Sequence, residues 1–330
     1  MGGEIEPHLC ELVRRVIGRE STANLPGVWS HEGDTPVLEA PPLAELDRLP
    51  FPDYSQFPWS KYPNTIVPII TGRGCGWGVC TFCSDVTSTV GRTFRSRSPE
   101  NVLAELSYQY RRHGAKLFVF TDLKLNSDLS VWHALGREFQ AAVPGARWIG
   151  AVHVGSRGNN GLSRDELFRA RAAGSVRLTT GFESGSQRIL DRMAKGVDLE
   201  LTSQFLVDAH EADISVRMTM IIGFPGERAE DVEATTSFLE RNEPYIERLS
   251  INRFQIMTGT RFAQRLERKP QRFYGLSEIK PDHRYAQIGH QYAETANPRY
   301  RSSISKLLGI VHKINRKPLR PSARDFEGVM

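Results

Sequence analysis

The stretch Thr71-Gly72-Arg73-Gly74-Cys75-Gly76-Trp77-Gly78-Val79-Cys80-Thr81-Phe82-Cys83 holds three of the four cysteines of this 330-residue chain. It directly follows Ile66–Ile70, a β-branched apolar run that reads as a strand. Its glycines at 72, 74, 76 and 78 let the backbone wrap tightly, so the three thiols can turn toward one centre. The fourth cysteine, Cys10, is remote and reads as a half-buried helix residue. A disulfide framework uses an even, dispersed set, so clustered thiols point to metal instead. Structural zinc takes four closed ligands, normally as two separated pairs. Here there is no second pair, and the nearest histidine, His113, lies 30 residues beyond Cys83. A cubane on three thiolates leaves one iron open to an exogenous ligand, which suits catalysis better than plain electron transfer. Taken alone, the loop leaves three readings open: iron–sulfur, zinc completed by a distant histidine, and a redox thiol group.

Working outward, strands and helices alternate. Pro99–His113 has helical spacing with Ser98 as N-cap and Pro99 in the first turn. Lys116–Phe120 reads as a strand, Asp128–Ala142 as a helix and Trp148–Val154 as a strand. Ser163–Ala173 is a helix opened by a Ser163/Glu166 capping box and closed by Gly174. Arg177–Phe182 is a strand, and Ser186–Lys195 and Leu199–Ala212 are helical. Ser215–Ile222 is a strand, Ala229–Asn242 a helix and Arg248–Ile256 a strand. Six strands with helices between them imply βαβ units and a parallel sheet. Right-handed crossovers would curl such units into a barrel or wind them into an open sheet, and the pattern alone does not separate the two. In either case ligands gather beyond the carboxyl ends of the strands. There the sequence places Cys75, Asp122, His153, Glu183, the Gly223–Glu227 turn and Gln255.

The flanks are less regular. Leu9–Arg19 is amphipathic, and Pro36–Pro63 contains Pro41-Pro42, Pro50, Pro52 and Pro58, which forbid a regular helix. Its aromatics (Phe51, Tyr54, Phe57, Trp59, Tyr62) suggest that it packs down onto the body. Hydrophobic residues make up 39% of the chain, enough for a core, and no run of about 18 apolar residues reads as a membrane span. The N-terminus has no secretory h-region, so the expected location is cytoplasmic. Net charge is +5, and from Asn297 to Ala323 there are seven Lys or Arg and no acid. That run reads as a solvated, partly disordered tail, or else as a docking surface for a phosphate-bearing substrate or acidic partner. No aromatic platform or nucleic-acid module accompanies it, so nucleic acid is not the expected partner.

The cysteine loop resembles the cluster loop of the radical SAM superfamily, whose usual spacing is Cys-x3-Cys-x2-Cys with an aromatic before the last cysteine. Phe82 matches that aromatic, but four residues, not three, separate Cys75 from Cys80. Further segments fit the same family in order. Gly181-Phe-Glu-Ser-Gly-Ser186, followed by Gln187–Gly196, is similar to the ribose-contacting motif. Ile221-Ile-Gly-Phe-Pro-Gly-Glu227 resembles the fifth-strand motif, and Phe254-Gln-Ile-Met-Thr-Gly-Thr260 the sixth-strand segment lining the adenine. Phe120-Thr-Asp-Leu123 holds the second-strand position by place, without the usual Gly-Gly-Glu. Singly, such motifs are often turns, caps or core aromatics; in order, at successive strand ends, they support one another.

The resemblance implies an α/β partial (β/α)6 TIM-like barrel with an irregular N-terminal segment and a basic, mostly helical or disordered C-terminal extension. Its expected divisions are a linker-like 1–63, a radical SAM core 64–262 and an extension 263–330. It implies a 4Fe–4S cluster on Cys75, Cys80 and Cys83, and S-adenosylmethionine (SAM) near Phe82, Asp122, Glu183, Ser184, Gly223, Gln255 and Ile256. Asp122, His153 and Arg157 are candidates for substrate contacts, His153 being equally readable as an interior histidine. A flavodoxin- or ferredoxin-like reductant would supply the electron, and the substrate is not named by any residue. The segment Leu49-Pro-Phe-Pro-Asp-Tyr54 and the Gly181–Ser186 motif are most similar to the cobalamin-dependent branch. That branch carries an N-terminal cobalamin-binding domain, for which 63 residues are too few at about 30 per βαβ unit. Cobalamin would then come from a separate cobalamin-binding partner, or not be used. Auxiliary-cluster branches need more cysteines. The alternative is a catalytically impaired or accessory iron–sulfur (or zinc) subunit that kept the fold.

Overall fold

Six parallel strands pair in the order in which the chain makes them. The computed structural model describes residues 4–28, 40–84, 94–156, 158–273 and 275–329. Helix α1 (Leu9–Ile17) comes first, then β1 (Ile66–Ile69), and a short ribbon of β2 (Gly72–Arg73) with β3 (Arg95–Ser96). The repeating part follows as α2 (Pro99–His113), β4 (Leu117–Phe120), α3 (Leu129–Ala142), β5 (Arg147–Val152), α4 (Arg164–Ala172) and β6 (Ser175–Glu183). It continues through α5 (Gln187–Met193), α6 (Leu199–Glu211), β7 (Ser215–Ile222), α7 (Ala229–Asn242) and β8 (Arg248–Arg253).

The sheet order is β1-β4-β5-β6-β7-β8, every pair parallel. Because each crossover moves to the next neighbour in one direction, right-handed connections put all the helices on one face. A doubly wound sheet would need the order to reverse, and it never does. The result is a partial barrel. Phe118, Trp148, Leu178 and Met218 on one face of the strands pack against Leu106, Phe139, Leu206 and Leu239 of the helices. Alternate residues point the other way, as the pleat requires. The local signals hold: Ser98 accepts from the Asn101 N–H at 3.1 Å, and the Ser163/Glu166 capping box is formed.

After β8 the chain departs from expectation. The strand read as Arg248–Ile256 ends at Arg253, and Ile256–Met257 becomes β9, the edge of a second sheet. Helix α8 (Arg261–Arg268) leads to an antiparallel hairpin of β10 (Leu276–Asp282) and β11 (Gln287–Tyr292), which pairs with β9. The basic run is not a solvated tail. From Pro298 to Asn315 it forms α9, whose Tyr300, Leu307, Val311 and Ile314 join the main core. Their spacing is helical, and that stripe outweighs the charges around it.

The segment Pro321–Phe326 closes the foot of the barrel, where Ala323 and Phe326 pack on Val119, Ile149 and Val176. Arg177 is fully buried there, donating to the carbonyls of Phe326 at 2.9 Å and Ala323 at 3.0 Å. The proline-rich run does pack down: Gln109 donates to the Pro52 carbonyl at 2.8 Å, and Tyr54 and Trp59 border the core. Among the described residues no helix is long and apolar enough to cross a membrane.

Candidate functional site

The cysteine loop leaves the carboxyl end of β1 and is anchored by Asp122, at the end of β4. Asp122 Oδ1 accepts from the N–H of Thr71 at 3.0 Å, the Thr71 hydroxyl at 2.8 Å and the N–H of Gly72 at 2.9 Å. Burial pushes its pKa up to about 6, against the pull of those donors. The carboxylate read as a substrate or cofactor contact therefore holds the root of the loop.

Between Cys75 and Cys80 the loop swings out far enough to carry Trp77 across to the far side of the site. Its indole donates to the Ala194 carbonyl at 2.9 Å and stacks on His153 with centroids 5.6 Å apart. A Cβ on Gly196 would lie 2.1 Å from that indole, so only glycine fits beneath it. Gly78, at φ +55°, turns the chain back toward Cys80.

Glu183 ends β6 at a shift in its register with β7 and sits in the left-handed region, φ +63°. A non-glycine residue held there costs about 1–3 kcal/mol and is common where a side chain must be aimed. Its Oε1 accepts from Lys195 Nζ at 2.8 Å, with both side chains nearly buried, 7% and 11% exposed. Burial alone would lower the Lys195 pKa; the Glu183 carboxylate and the thiols of Cys80 and Cys83 raise it instead. Burial pushes the Cys80 thiol up to about 11; Lys195 opposes this, and Cys83, Cys75 and Glu183 add to it. On the other flank, burial lowers Lys124 while Cys75 favours its charge. Each of the three thiols is thus within electrostatic reach of a lysine.

His153 is buried, and its Nε2 lies 2.9 Å from the Lys195 carbonyl. A carbonyl only accepts, so Nε2 carries the proton and Nδ1 is a bare acceptor, without a partner among the described residues. Burial, then the charge of Lys195, lowers its pKa to about 4, so it is neutral at pH 7.

The remaining candidates scatter. Phe82 sits at the margin of the second apolar cluster, with Lys195 Nζ 5.9 Å from its ring centroid. The Ser184 hydroxyl turns toward α7, 3.4 Å from that of Thr235, so only its backbone remains at the strand end. Gly223, at φ +77°, donates to Glu227 Oε2 at 2.7 Å, and Tyr300 of α9 donates to the same oxygen at 2.6 Å. Burial raises Glu227 to about 7 although the Tyr300 hydroxyl pulls it down. Ile256 is buried in β9, and Gln255 accepts from Gln287. Arg157 lies outside the described residues.

Trp77, Lys124 and Lys195 were not singled out from the sequence. Lys195 is the penultimate residue of the Gln187–Gly196 stretch that follows Gly181–Ser186, and that motif was the available signal. Among the described residues no three Cys, His, Asp or Glu side chains converge closely enough for a single metal ion. Three thiols on one loop, within electrostatic reach of two lysines, suit an anionic group.

A family model described as the radical SAM superfamily matches residues 69–239. The chain belongs to the radical SAM superfamily. Membership implies SAM-dependent radical chemistry, with SAM and a 4Fe–4S cluster as the family's cofactors. This radical SAM chain is 29% identical over 220 residues to an uncharacterized methyltransferase of Pyrococcus horikoshii, covering 64% of this chain and 46% of that protein. It is 26% identical over 201 residues to an anaerobic magnesium-protoporphyrin IX monomethyl ester cyclase of Rubrivivax gelatinosus, covering 59% and 35%. The radical SAM methyltransferase TsrM from Kitasatospora setae superposes with a TM-score of 0.70 at 18% identity, over 98% of this chain and 67% of that one. The cobalamin-dependent SAM radical enzyme OxsB gives 0.72 at 15% identity, over 92% and 49%. The chain thus spans less than half the length of these two curated relatives.

Proposed function

We propose that Cys75, Cys80 and Cys83 hold a 4Fe–4S cluster with one open iron, that SAM binds against it, and that the chain spends the 5′-deoxyadenosyl radical on methyl transfer to, or other modification of, an unactivated carbon. The observation that carries this reading is the loop of three thiols flanked by Lys124 and Lys195, with Glu183 held by Lys195. When bound, the cluster supplies the single electron that breaks the S–C5′ bond of SAM. Lys124 and Lys195 offset the negative charge of the thiolates. Glu183 uses Oε1 on Lys195, while Oε2 accepts nothing from the described residues and is free for a ribose hydroxyl. Phe82 offers a ring edge for an adenine. His153 Nδ1 accepts an N–H or O–H.

Methyl transfer rests on the relatives' names, and cobalamin on those of TsrM and OxsB. Cobalamin enters this reading through a partner protein or a further domain. A flavodoxin- or ferredoxin-like protein is the reductant.

Anaerobic reconstitution should give a brown protein that releases 5′-deoxyadenosine from SAM on dithionite reduction. Cys80→Ala should lose both colour and product. Lys195→Met strands Glu183 and should cost about 3–5 kcal/mol in urea denaturation, the price of an unpaired buried charge. A fully loaded cluster that yields no 5′-deoxyadenosine would overturn the catalytic role and leave an accessory iron–sulfur subunit.

A further inference from the structure

The outer flank of the cysteine loop opens on a groove of about 670 Å³. Five cations line it: Arg265, Arg268, Lys269 and Arg272 from α8 and the turn after it, and Arg192 from α5; Asp191 is the single acid among the lining residues. From Arg261 to Arg272 the sequence holds five Lys or Arg and one acid, Glu267, which does not line the groove. Among the described residues Arg265, Arg268, Lys269 and Arg272 form no ion pair, whereas arginines elsewhere, such as Arg147, Arg171, Arg188, Arg299 and Arg320, have a carboxylate partner. Four such charges held together and unneutralised repel one another, and the arrangement gains when an anionic surface covers it.

The position of the groove indicates what that surface is for. One wall is Thr81, the residue between Cys80 and its neighbours Phe82 and Cys83. Thr81 is buried; its N–H donates to the Met193 carbonyl and its own carbonyl accepts from the N–H of Phe262 in α8, both at 2.8 Å. The cationic helix is therefore bonded directly to the segment that bears two of the thiols. The aromatic floor suits nucleic acid poorly, because Phe224 and Phe262 are buried, 2% and 4% exposed, and the partly buried Phe273 alone makes no run of faces for successive bases.

We propose that this groove is the docking surface for an acidic one-electron carrier protein, which delivers its electron to the cluster through the Thr81 flank. The proposal rests on the iron–sulfur reading above. Docking of this kind is steered by charge, so it speeds encounter and weakens as salt rises.

The test uses the reconstituted chain and reduced flavodoxin, with bleaching of the cluster followed by stopped flow. Wild type should be reduced at a rate that falls with added salt. The exposed triple variant Arg265→Glu, Arg268→Glu, Lys269→Glu should be at least about tenfold slower with flavodoxin, yet equal to wild type with dithionite. Arg265→Lys with Arg268→Lys, which keeps the charge, should retain the wild-type rate. Titration of flavodoxin onto the cluster-free chain should show the same loss of binding in the Glu variant, independently of catalysis. Equal flavodoxin rates in wild type and the Glu variant would overturn the proposal. So would unchanged flavodoxin reduction with selective loss of binding to a single-stranded RNA oligonucleotide, which would assign the groove to nucleic acid. A wild-type protein that dithionite itself fails to reduce would remove the iron–sulfur reading, a failure plainly distinct from loss of docking alone.

Discussion

The run from Asn297 to Ala323 holds seven cations and the run from Arg261 to Arg272 holds five, yet they are used in opposite ways. In the first, Arg299 pairs with Glu230 and Glu233, Lys313 and Lys317 with Glu243, and Arg320 with Asp213. Those acids sit on or beside α7 and α6, against which α9 and the chain after it lie. In the second, α8 buries Phe262, Ala263 and Leu266 in the aromatic cluster and holds its charged face over the groove. Linear charge density is thus a poor guide to a docking surface. What matters is whether the element packed alongside offers carboxylates.

This contrast can be broken most directly through the core. Leu307, 1% exposed in α9, should cost about 2–5 kcal/mol as Leu307→Ala, measured by urea denaturation. The triple Glu variant of the groove should stay within about 0.5 kcal/mol of wild type. A harmless Leu307→Ala would return the 297–323 run to the status of a loose tail.

A pH series sharpens the same point, because Tyr300 of α9 holds Glu227. The Glu227 carboxyl titrates at about 7 in the fold against an ordinary 4.5. The native state therefore binds more protons between those values, and this group makes stability fall as pH rises through that window. Asp231, Arg188, Tyr292 and Tyr300 surround it and stay constant between wild type and Glu227→Gln. The stability difference, variant minus wild type, should climb from about pH 4.5 to about pH 7 and be flat on either side. A level difference curve would contradict the assignment.

The smallest effect concerns the paired cations themselves. Arg320→Ala should cost at most about 1 kcal/mol, and less in high salt, since its close partner Asp213 is exposed and the buried Glu247 lies at the longer distance of 3.9 Å. A larger, salt-independent loss would show that the pairs, not the apolar stripe, hold the run in place.

Much of the fold could be read in advance because its signals are local. Ser98, the Ser163/Glu166 box and Gly174 mark helix ends, and Ile66–Ile69 and Ser215–Ile222 are apolar runs bounded by turns. The hairpin of β10 and β11 was missed because it lies exposed, and Lys280-Pro281-Asp282 breaks any alternation. Within the site, the thiols and Glu183 stood out by type and motif. Trp77 and Lys195 did not, because their placement depends on Gly196 and on a pairing across twelve residues that only the folded chain creates.

The foot of the barrel carries a consequence for the order of events in time. Asn64 donates to the Asp325 carbonyl across 261 residues, and Arg147 to that of Ser322 across 175. Contacts of that sequence separation cost the most chain entropy to close in an unfolded chain, and least once the strands between them have formed. The thiol-bearing rim can therefore organise while the foot still gapes. Until Pro321–Phe326 arrives, the Arg177 guanidinium faces an open foot and has water in place of the Ala323 and Phe326 carbonyls. Burial of Arg177 and closure of the foot are thereby one event, completed by the last residues of the described chain.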